Sequence, residues 1–319
     1  MIDTEALAPV VSAIREANTV GVVGHVGPDG DALGSMVALA LAATENGKTG
    51  VASFAEPFIV PAEMSYLDTS VLVPPSEFPT DLDLAVAVDT SVRHRVGSLV
   101  GAMEKASRLA VIDHHLSAGD WGDVVAIDPQ AAATTELIYR ILRELDWTIT
   151  KPVATALYTG LVTDTGRFQY SSTSPQTHEI AADLLACGVE PDVIGQKLFE
   201  EAPFGYYAVA GAVLARSVMD ADHEFVWSIL TMADLDEANV GYHEVDGLID
   251  LVRLARGTQV ACLLKESKPG VIKGSLRSRG LVDVSAIAGT FGGGGHHNAS
   301  GFTSTDSPAE IVEQIVSQL

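Results

Sequence analysis

Five short runs, "TVGVV" (19–23), "VASFA" (51–55), "DLAVAVD" (83–89), "RLAVID" (108–113) and "VVAID" (124–128), are apolar at successive rather than alternate positions. A strand that hides only one face alternates apolar and polar residues. These runs therefore require cover on both faces, the condition of a parallel sheet wrapped by helices. The segments around them supply the helices: "EALAPVVSAIREA" (5–17) and "DALGSMVALALAATENG" (31–47) repeat apolar residues at helical spacing, the second stopping at Gly47. The expected fold class is α/β, a doubly wound, mainly parallel sheet.

From "ATTELIYRILREL" (133–145) to "DVIGQKLFE" (192–200) the pattern turns helical, and "GYYAVAGAVLARSVMD" (205–220) reads as a helix leading into new strands. Beyond it, "EFVWSIL", "TQVACLLKE" and "VIKGSLRS" read as strands, with helices at "EVDGLIDLVRLA", "VDVSAIAGTF" and "PAEIVEQIVSQL". A chain of 319 residues is near the length at which single cores divide. The expectation is a first domain over 1–195, a linker helix region over 196–215 and a smaller α+β domain over 216–319.

The formal net charge of −23 sets a field that repels duplex DNA and leaves small substrates as the better partners. Cys187 and Cys262 form no CxxC pattern, so neither a disulfide scaffold nor a thiolate zinc cluster is indicated. The start "MIDTEALAPVV" lacks a basic leader region and no uncharged apolar stretch of membrane-spanning length occurs, so the expected compartment is the cytoplasm, with no membrane partner expected.

Three apolar runs lead into the same residue types: "TVGVVGH" into His25, "LAVAVD" into Asp89, and "LAVID" into Asp113 followed by His114 and His115. Ligands of open parallel sheets bind in the crevice outside the carboxyl ends of the strands, so these side chains should converge. "GHVGPDGDALGS" (24–35) adds Asp29 and Asp31, and "LVTDTGRF" adds Asp164 at the end of a helix or short strand. Carboxylates and imidazoles crowded into one cleft repel one another and are costly to desolvate unless a cation compensates them. An oxygen-rich set with a few imidazoles suits Mn²⁺ or Mg²⁺, and so many anionic ligands suit two ions, one aspartate bridging them.

Other readings of "GHVGPDGDALGS" fail. A phosphate-binding P-loop needs GxxxxGK[ST], and no lysine precedes Lys48. The glycines do not fit GxGxxG, and two carboxylates would oppose a pyrophosphate. An EF-hand loop begun at Asp29 would require an oxygen ligand at Leu33 and a glutamate at Ala40.

In order and spacing, "HVGPDGDALGS", "VDTS", "IDHH" and "TDTG" resemble the four motifs of the DHH phosphoesterase superfamily, named for the triplet seen here at 113–115. The resemblance implies a two-cation hydrolase of phosphodiester or phosphoanhydride bonds, with Mn²⁺ as the expected metal and Mg²⁺ or Co²⁺ as alternatives. Carried over by motif, His25, Asp29 and Asp89 hold one ion, and Asp31, Asp89, His114 and Asp164 hold the other. His115 would contact the scissile phosphate, with Asp113 orienting a histidine of the triplet.

In the second domain, "SLRSRGLVDVSAIAGTFGGGGHHNASGF" (275–302) sets glycines beside two arginines. Glycine amides can cradle an anion, and Arg277 and Arg279 supply forked charge in an otherwise acidic chain. "GGGHHNASG" (293–301) resembles the glycine motif of the DHHA1 domain, which implies substrate binding by Arg277, Arg279, Gly293, Gly294, Gly295, His296, His297, Asn298 and Ser300. Length and domain order resemble the branch of the superfamily that degrades RNA of a few nucleotides and removes the 3′-phosphate of 3′-phosphoadenosine 5′-phosphate, with related members acting on linear or cyclic di-AMP. That branch implies a homodimer. A processive single-strand exonuclease of the RecJ kind would need a basic, aromatic-lined channel. An inorganic pyrophosphatase or exopolyphosphatase would lack the glycine motif, and a non-catalytic nucleotide sensor would have a degenerate ligand set.

Overall fold

The computed structural model describes residues 4–115, 119 and 121–319. It divides into two compact units, Met1–Glu201 and Ala202–Leu319. The first runs α1 (Thr4–Glu16), β1 (Thr19–Val23), α2 (Gly30–Glu45), β2 (Thr49–Ser53), β3 (Leu84–Val88), α3 (Val100–Met103), β4 (Leu109–Asp113), β5 (Val124–Ile127), α4 (Thr134–Glu144), α5 (Lys151–Asp164), α6 (Pro175–Ala186) and α7 (Pro191–Gly195).

Its sheet has the order β2-β1-β3-β4-β5 with every neighbour parallel, as the unbroken apolar runs require. Every residue of β3 and β4 is buried. Alternate residues feed two cores: Leu84, Val86 and Val88 join α1, α2, α4 and α5 on one face, and Ala85 and Ala87 join Val96, Leu99, Met103 and Trp121 on the other. The second face is thus covered mainly by α3 and a short 3₁₀ segment, Arg93–Leu99. Helix α2 is buried from Gly30 to Ala43 because it lies within the larger core, and a helix with solvent on neither side is apolar all round. Leu33, Met36 and Leu39 in it are fully buried, each contributing about 1.5–3 kcal/mol. Close contact with α5 depends on Gly34, where a Cβ would lie 2.4 Å from the Ala156 carbonyl oxygen.

Strand β1 lies between β2 and β3, so the chain turns one way after β1 and the other way after β2. The carboxyl ends of β1 and β3 flank this switch point, where open α/β sheets hold their ligands.

The second unit runs α8 (Tyr206–Ala215), β6 (Val218–Asp220), β7 (Phe225–Leu230), α9 (Met232–Ala238), α10 (Leu248–Val252), β8 (Val260–Lys268), β9 (Val271–Ser278), α11 (Val284–Thr290), β10 (Gly294–His296), β11 (Ala299–Ser304) and α12 (Pro308–Val316). Its mixed sheet, β10-β11-β9-β8-β7-β6, has one core with α8, α9 and α10 and another with α11 and α12. A parallel α/β unit followed by a smaller mixed unit is the architecture read from the sequence.

Three local features differ from that reading. The segment 196–215, expected as a linker helix region, divides between the units: Gln196–Glu200 closes the first as a π turn, and α8 contributes Val209, Ala210 and Val213 to the second unit's core. The helix expected over 244–255 shortens to α10, because Gly247 stands where a continuous helix would need a better helix former. The glycine run, expected to cradle an anion, forms a hairpin of β10 and β11. Among the described residues no helix is long and apolar enough to cross a membrane.

Candidate metal centre

The segment after β1 brings in His25 and ends in Asp29, the N-cap of α2. Asp29 Oδ1 accepts from the amides of Asp31 (3.1 Å) and Ala32 (3.0 Å), and its Oδ2 lies 3.9 Å from His25 Nε2. One carboxylate therefore both caps the helix and faces the cluster. Asp31, in the first turn of α2, has no solvent exposure. Asp89 follows β3 in a left-handed conformation, φ 57°, which costs a non-glycine residue strain of a kind concentrated at functional sites. Asp113 ends β4, and Asp164 ends α5, so its helical alternative is the one realised.

Both His25 and His114 turn Nδ1 to a backbone carbonyl, Val26 O at 3.1 Å and Ala131 O at 3.2 Å. That bond sets Nδ1 as the donor and aims the Nε2 lone pair at the carboxylates, as in a metal-binding histidine. His25 Nε2 is 3.4 Å from Asp89 Oδ2. His114 Nε2 is 3.0 Å from Asp164 Oδ2, 3.7 Å from Asp31 Oδ2 and 3.7 Å from Asp89 Oδ1. Three groups result, each with ligand atoms within 4.8 Å of one another: His25, Asp29 and Asp89; Asp31, His114 and Asp164; Asp89, His114 and His115. The two oxygens of Asp89 face opposite sides, one toward His25 and the other toward His114.

Electrostatics show the same crowding. Burial works against charge on His25, yet the hydrogen bond to Asp89 and the fields of Asp29 and Asp89 outweigh it and push the imidazole up to about 9. Burial also opposes charge on His114, but the Asp164 bond and the surrounding carboxylates raise it well above the ordinary range. Burial and then the Asp89 field raise Asp31, and burial raises Asp164, with the fields of Asp31 and Asp29 adding to it. Carboxylates that favour protons beside imidazoles that favour charge form a donor set that a divalent cation relieves, so the residues fit the group. His115 is set apart by its Nδ1, 2.7 Å from Asp113 Oδ1. Burial would raise Asp113, but that bond holds it below the usual range, and the same bond raises His115 against its own burial.

Two neighbours of the cluster were not anticipated. The amides of Thr134 and Thr135, at the start of α4, donate to Asp31 Oδ2 (2.6 Å) and Oδ1 (2.9 Å). The Thr135 hydroxyl donates to Asp31 Oδ1 (2.8 Å) and the Thr134 hydroxyl to Asp89 Oδ1 (2.9 Å). Their signal in "AAATTE" is negative: α4 begins after Ala133, which offers no capping side chain. Just past Asp164, Gly166, Arg167 and Phe168 are all left-handed, φ 54°, 63° and 62°, a turn tied by the Phe168 amide to the Thr165 hydroxyl at 3.0 Å.

In the second unit, Arg277 on β9 is half-buried and donates to the Leu276 carbonyl at 3.0 Å. Arg279, just beyond β9, donates to the carbonyls of Arg253 (2.8 Å) and Ala255 (3.3 Å). The glycines serve the hairpin, since a Cβ at Gly293 would lie 2.2 Å from the Gly301 carbonyl and Gly295 has φ 143°. Ser300 is buried and donates to the Val284 carbonyl at 2.5 Å, and Asn298 Oδ1 accepts from the Ser278 hydroxyl at 3.0 Å. His297 Nε2 is 3.2 Å from the Gly280 carbonyl. Gly294 and His296 lie in β10, opposite Gly301 and Ala299, and the side chain of His296 falls outside the described residues.

The sequence matches the DHH family, N-terminal domain, over residues 19–161 and the DHHA1 domain over residues 226–319. It is 31% identical, over 93% of this chain and 87% of the relative, to the bifunctional oligoribonuclease and PAP phosphatase NrnA of Thermus thermophilus. It is 27% identical to a probable bifunctional oligoribonuclease and PAP phosphatase NrnA of Streptococcus mutans, over 94% of each chain. The fold superposes on the crystal structure of an exopolyphosphatase-related protein from Bacteroides fragilis with a TM-score of 0.90 at 25% identity, over 99% of this chain and 96% of that one.

Proposed function

Because the chain belongs to the DHH/DHHA1 phosphoesterase family, whose members are metal-dependent hydrolases, we propose that it hydrolyses short oligoribonucleotides and linear or cyclic dinucleotides such as pApA and di-AMP to mononucleotides, and removes the 3′-phosphate of 3′-phosphoadenosine 5′-phosphate (pAp). The observation that carries this reading is the pair of ligand groups joined through Asp89. His25, Asp29 and Asp89 would hold one cation, and Asp31, Asp89, His114 and Asp164 the other, with Mn²⁺ the preferred ion. When bound, two such cations activate water and offset the charge of a phosphoryl group under in-line attack.

The chain's own groups do the rest. Asp113 fixes the His115 ring and favours its charged form, so that His115 can donate from Nε2 to a phosphate oxygen as negative charge develops there. Arg279 commits one terminal nitrogen to two backbone carbonyls and Arg277 commits one to the Leu276 carbonyl, so each guanidinium keeps donors for an anion. With Gly293, Gly294, Gly295, His296 and His297 the two arginines would bind the nucleotide portion, while Asn298 and Ser300 hold the hairpin in shape. The reading includes a cytoplasmic homodimer, checked by light scattering on the purified protein.

The test is a substrate panel of pAp, pApA, RNA of two to five nucleotides, cyclic di-AMP and pyrophosphate, each with Mn²⁺ and with EDTA. Turnover of pAp and pApA that EDTA abolishes is the expected result. Pyrophosphate as the sole substrate, or turnover that persists in EDTA, would reject the reading.

A further inference from the structure

The four hydrogen bonds from the start of α4 all end on two carboxylates, Asp31 and Asp89, and they come from adjacent residues more than forty positions away in the chain. The first amides of a helix have no partner within it, and Ala133 supplies none. Asp31 takes two of them, one on each oxygen, and a negative charge is favoured at that end of the helix. A carboxylate bonded on one oxygen can still turn about its last torsion. One bonded on both, with a hydroxyl added on Oδ1, has its plane fixed. Thr134 and Thr135 are themselves fully buried, so these bonds do not compete with solvent. Space has been kept for them: a Cβ at Gly160 would lie 2.6 Å from Asp31 Oδ1 and 2.5 Å from Thr135 Cγ2.

The support is one-sided. The Thr134 hydroxyl meets Asp89 on Oδ1, the oxygen facing His114, and leaves Oδ2 toward His25. The group on the His25 side relies instead on Asp29, whose side chain is 59% exposed. We propose that Thr134 and Thr135 are positioning residues that fix Asp31 and Asp89 for the buried cation, making the site of Asp31, His114 and Asp164 bind its ion more tightly than the site of His25 and Asp29. The inference rests on the two-cation reading above and adds an order to it: the buried site fills first, and its affinity depends on two hydroxyls that touch neither cation nor substrate.

Calorimetric titration of metal-free protein with Mn²⁺ tests this in wild type, Thr134→Val, Thr134→Ser, Thr135→Val and Thr135→Ser. Valine keeps the shape and removes the hydroxyl, and serine keeps the hydroxyl. Two binding steps are expected in wild type. The tighter should weaken by about 10–100-fold in each valine variant, the usual effect of losing an outer hydrogen bond to a metal ligand, and return to within about threefold in each serine variant. Circular dichroism of the metal-free proteins shows whether each variant is folded. If Thr134→Val does not fold, Thr135→Val and the two serine variants still decide the matter. Valine variants that bind Mn²⁺ like wild type would overturn the proposal. So would serine variants as weak as the valine ones, which would assign the threonines to packing alone. Wild type that binds no Mn²⁺ would instead reject the two-cation reading.

Discussion

Gly34→Ala tests whether the cation site depends on how closely α2 and α5 approach. The added methyl would sit 2.4 Å from the carbonyl oxygen of Ala156 and 3.2 Å from the amide nitrogen of Gly160, both backbone atoms with no rotamer to change. Restoring an ordinary contact of 3.4 Å requires the helices to part by about 1 Å. Two energies oppose each other. Alanine is a better helix former than glycine by about 1 kcal/mol, whereas overpacking a core costs about 1–3 kcal/mol. The net loss is at most about 2 kcal/mol, a fall in Tm of up to about 8 °C for a unit of this size. Function should suffer more, because α2 begins at Asp29 and Asp31 and α5 ends at Asp164. Moving these groups apart by about 1 Å should lower kcat/KM by about 100-fold, equivalent to about 2.7 kcal/mol. Gly211→Ala in α8 is the control: nothing lies within 4 Å of its added Cβ, so it should be neutral or gain up to about 1 kcal/mol. Scanning fluorimetry and pApA turnover at saturating Mn²⁺ measure both quantities. A Gly34→Ala enzyme with wild-type Tm and wild-type kcat/KM would refute the coupling of helix approach to the site.

Asp89→Asn removes the carboxylate shared by two ligand groups and should lower kcat by at least about 1,000-fold while the circular dichroism spectrum is kept; a near-normal rate in Mn²⁺ contradicts a shared ligand. Arg277→Ala should raise KM for pApA about tenfold with little change in kcat, and a loss confined to kcat would place Arg277 in the chemical step instead. Because the folded protein holds the His25 proton up to about pH 9, cation binding at pH 7 must release it, and affinity should rise with pH until about 9. Calorimetry in buffers of different ionisation enthalpy measures that release, and none at pH 7 would remove His25 from the ligand set.

The parts of this molecule legible in its sequence are those whose signal is local. Consecutive apolar residues such as Leu84 to Val88 mark a strand buried on both faces, and the aspartate or histidines that follow mark the end facing ligand. Asp29 is helix cap and member of the cluster at once, because its two oxygens act separately, and only the second role was expected from the sequence. Thr134 and Thr135 were not legible, since threonine in a first helical turn is unremarkable until a partner on another helix is known. The β10–β11 hairpin escaped notice for a different reason: strand propensity belongs to side chains, and Gly294 and Gly295 pair through backbone alone, with Gly293 packed close against Gly301. Arg279 looked equivalent to Arg277 two positions away, yet only the folded chain brings the carbonyls of Arg253 and Ala255 to it.

The spread of the ligand residues along the chain, from His25 to Asp164, governs how the protein comes into being. His25 emerges from the ribosome early, but Asp164, which completes the buried group, follows only when α5 has been made. Until then the nascent sheet has the group of His25, Asp29 and Asp89 but lacks the buried one, and parallel strands joined by long crossovers already pair slowly. Filling of the buried group should therefore act on the last stage of folding, adding about 2.7 kcal/mol to the finished unit at a hundred times its dissociation constant and nothing, through that group, to fragments that stop before residue 164.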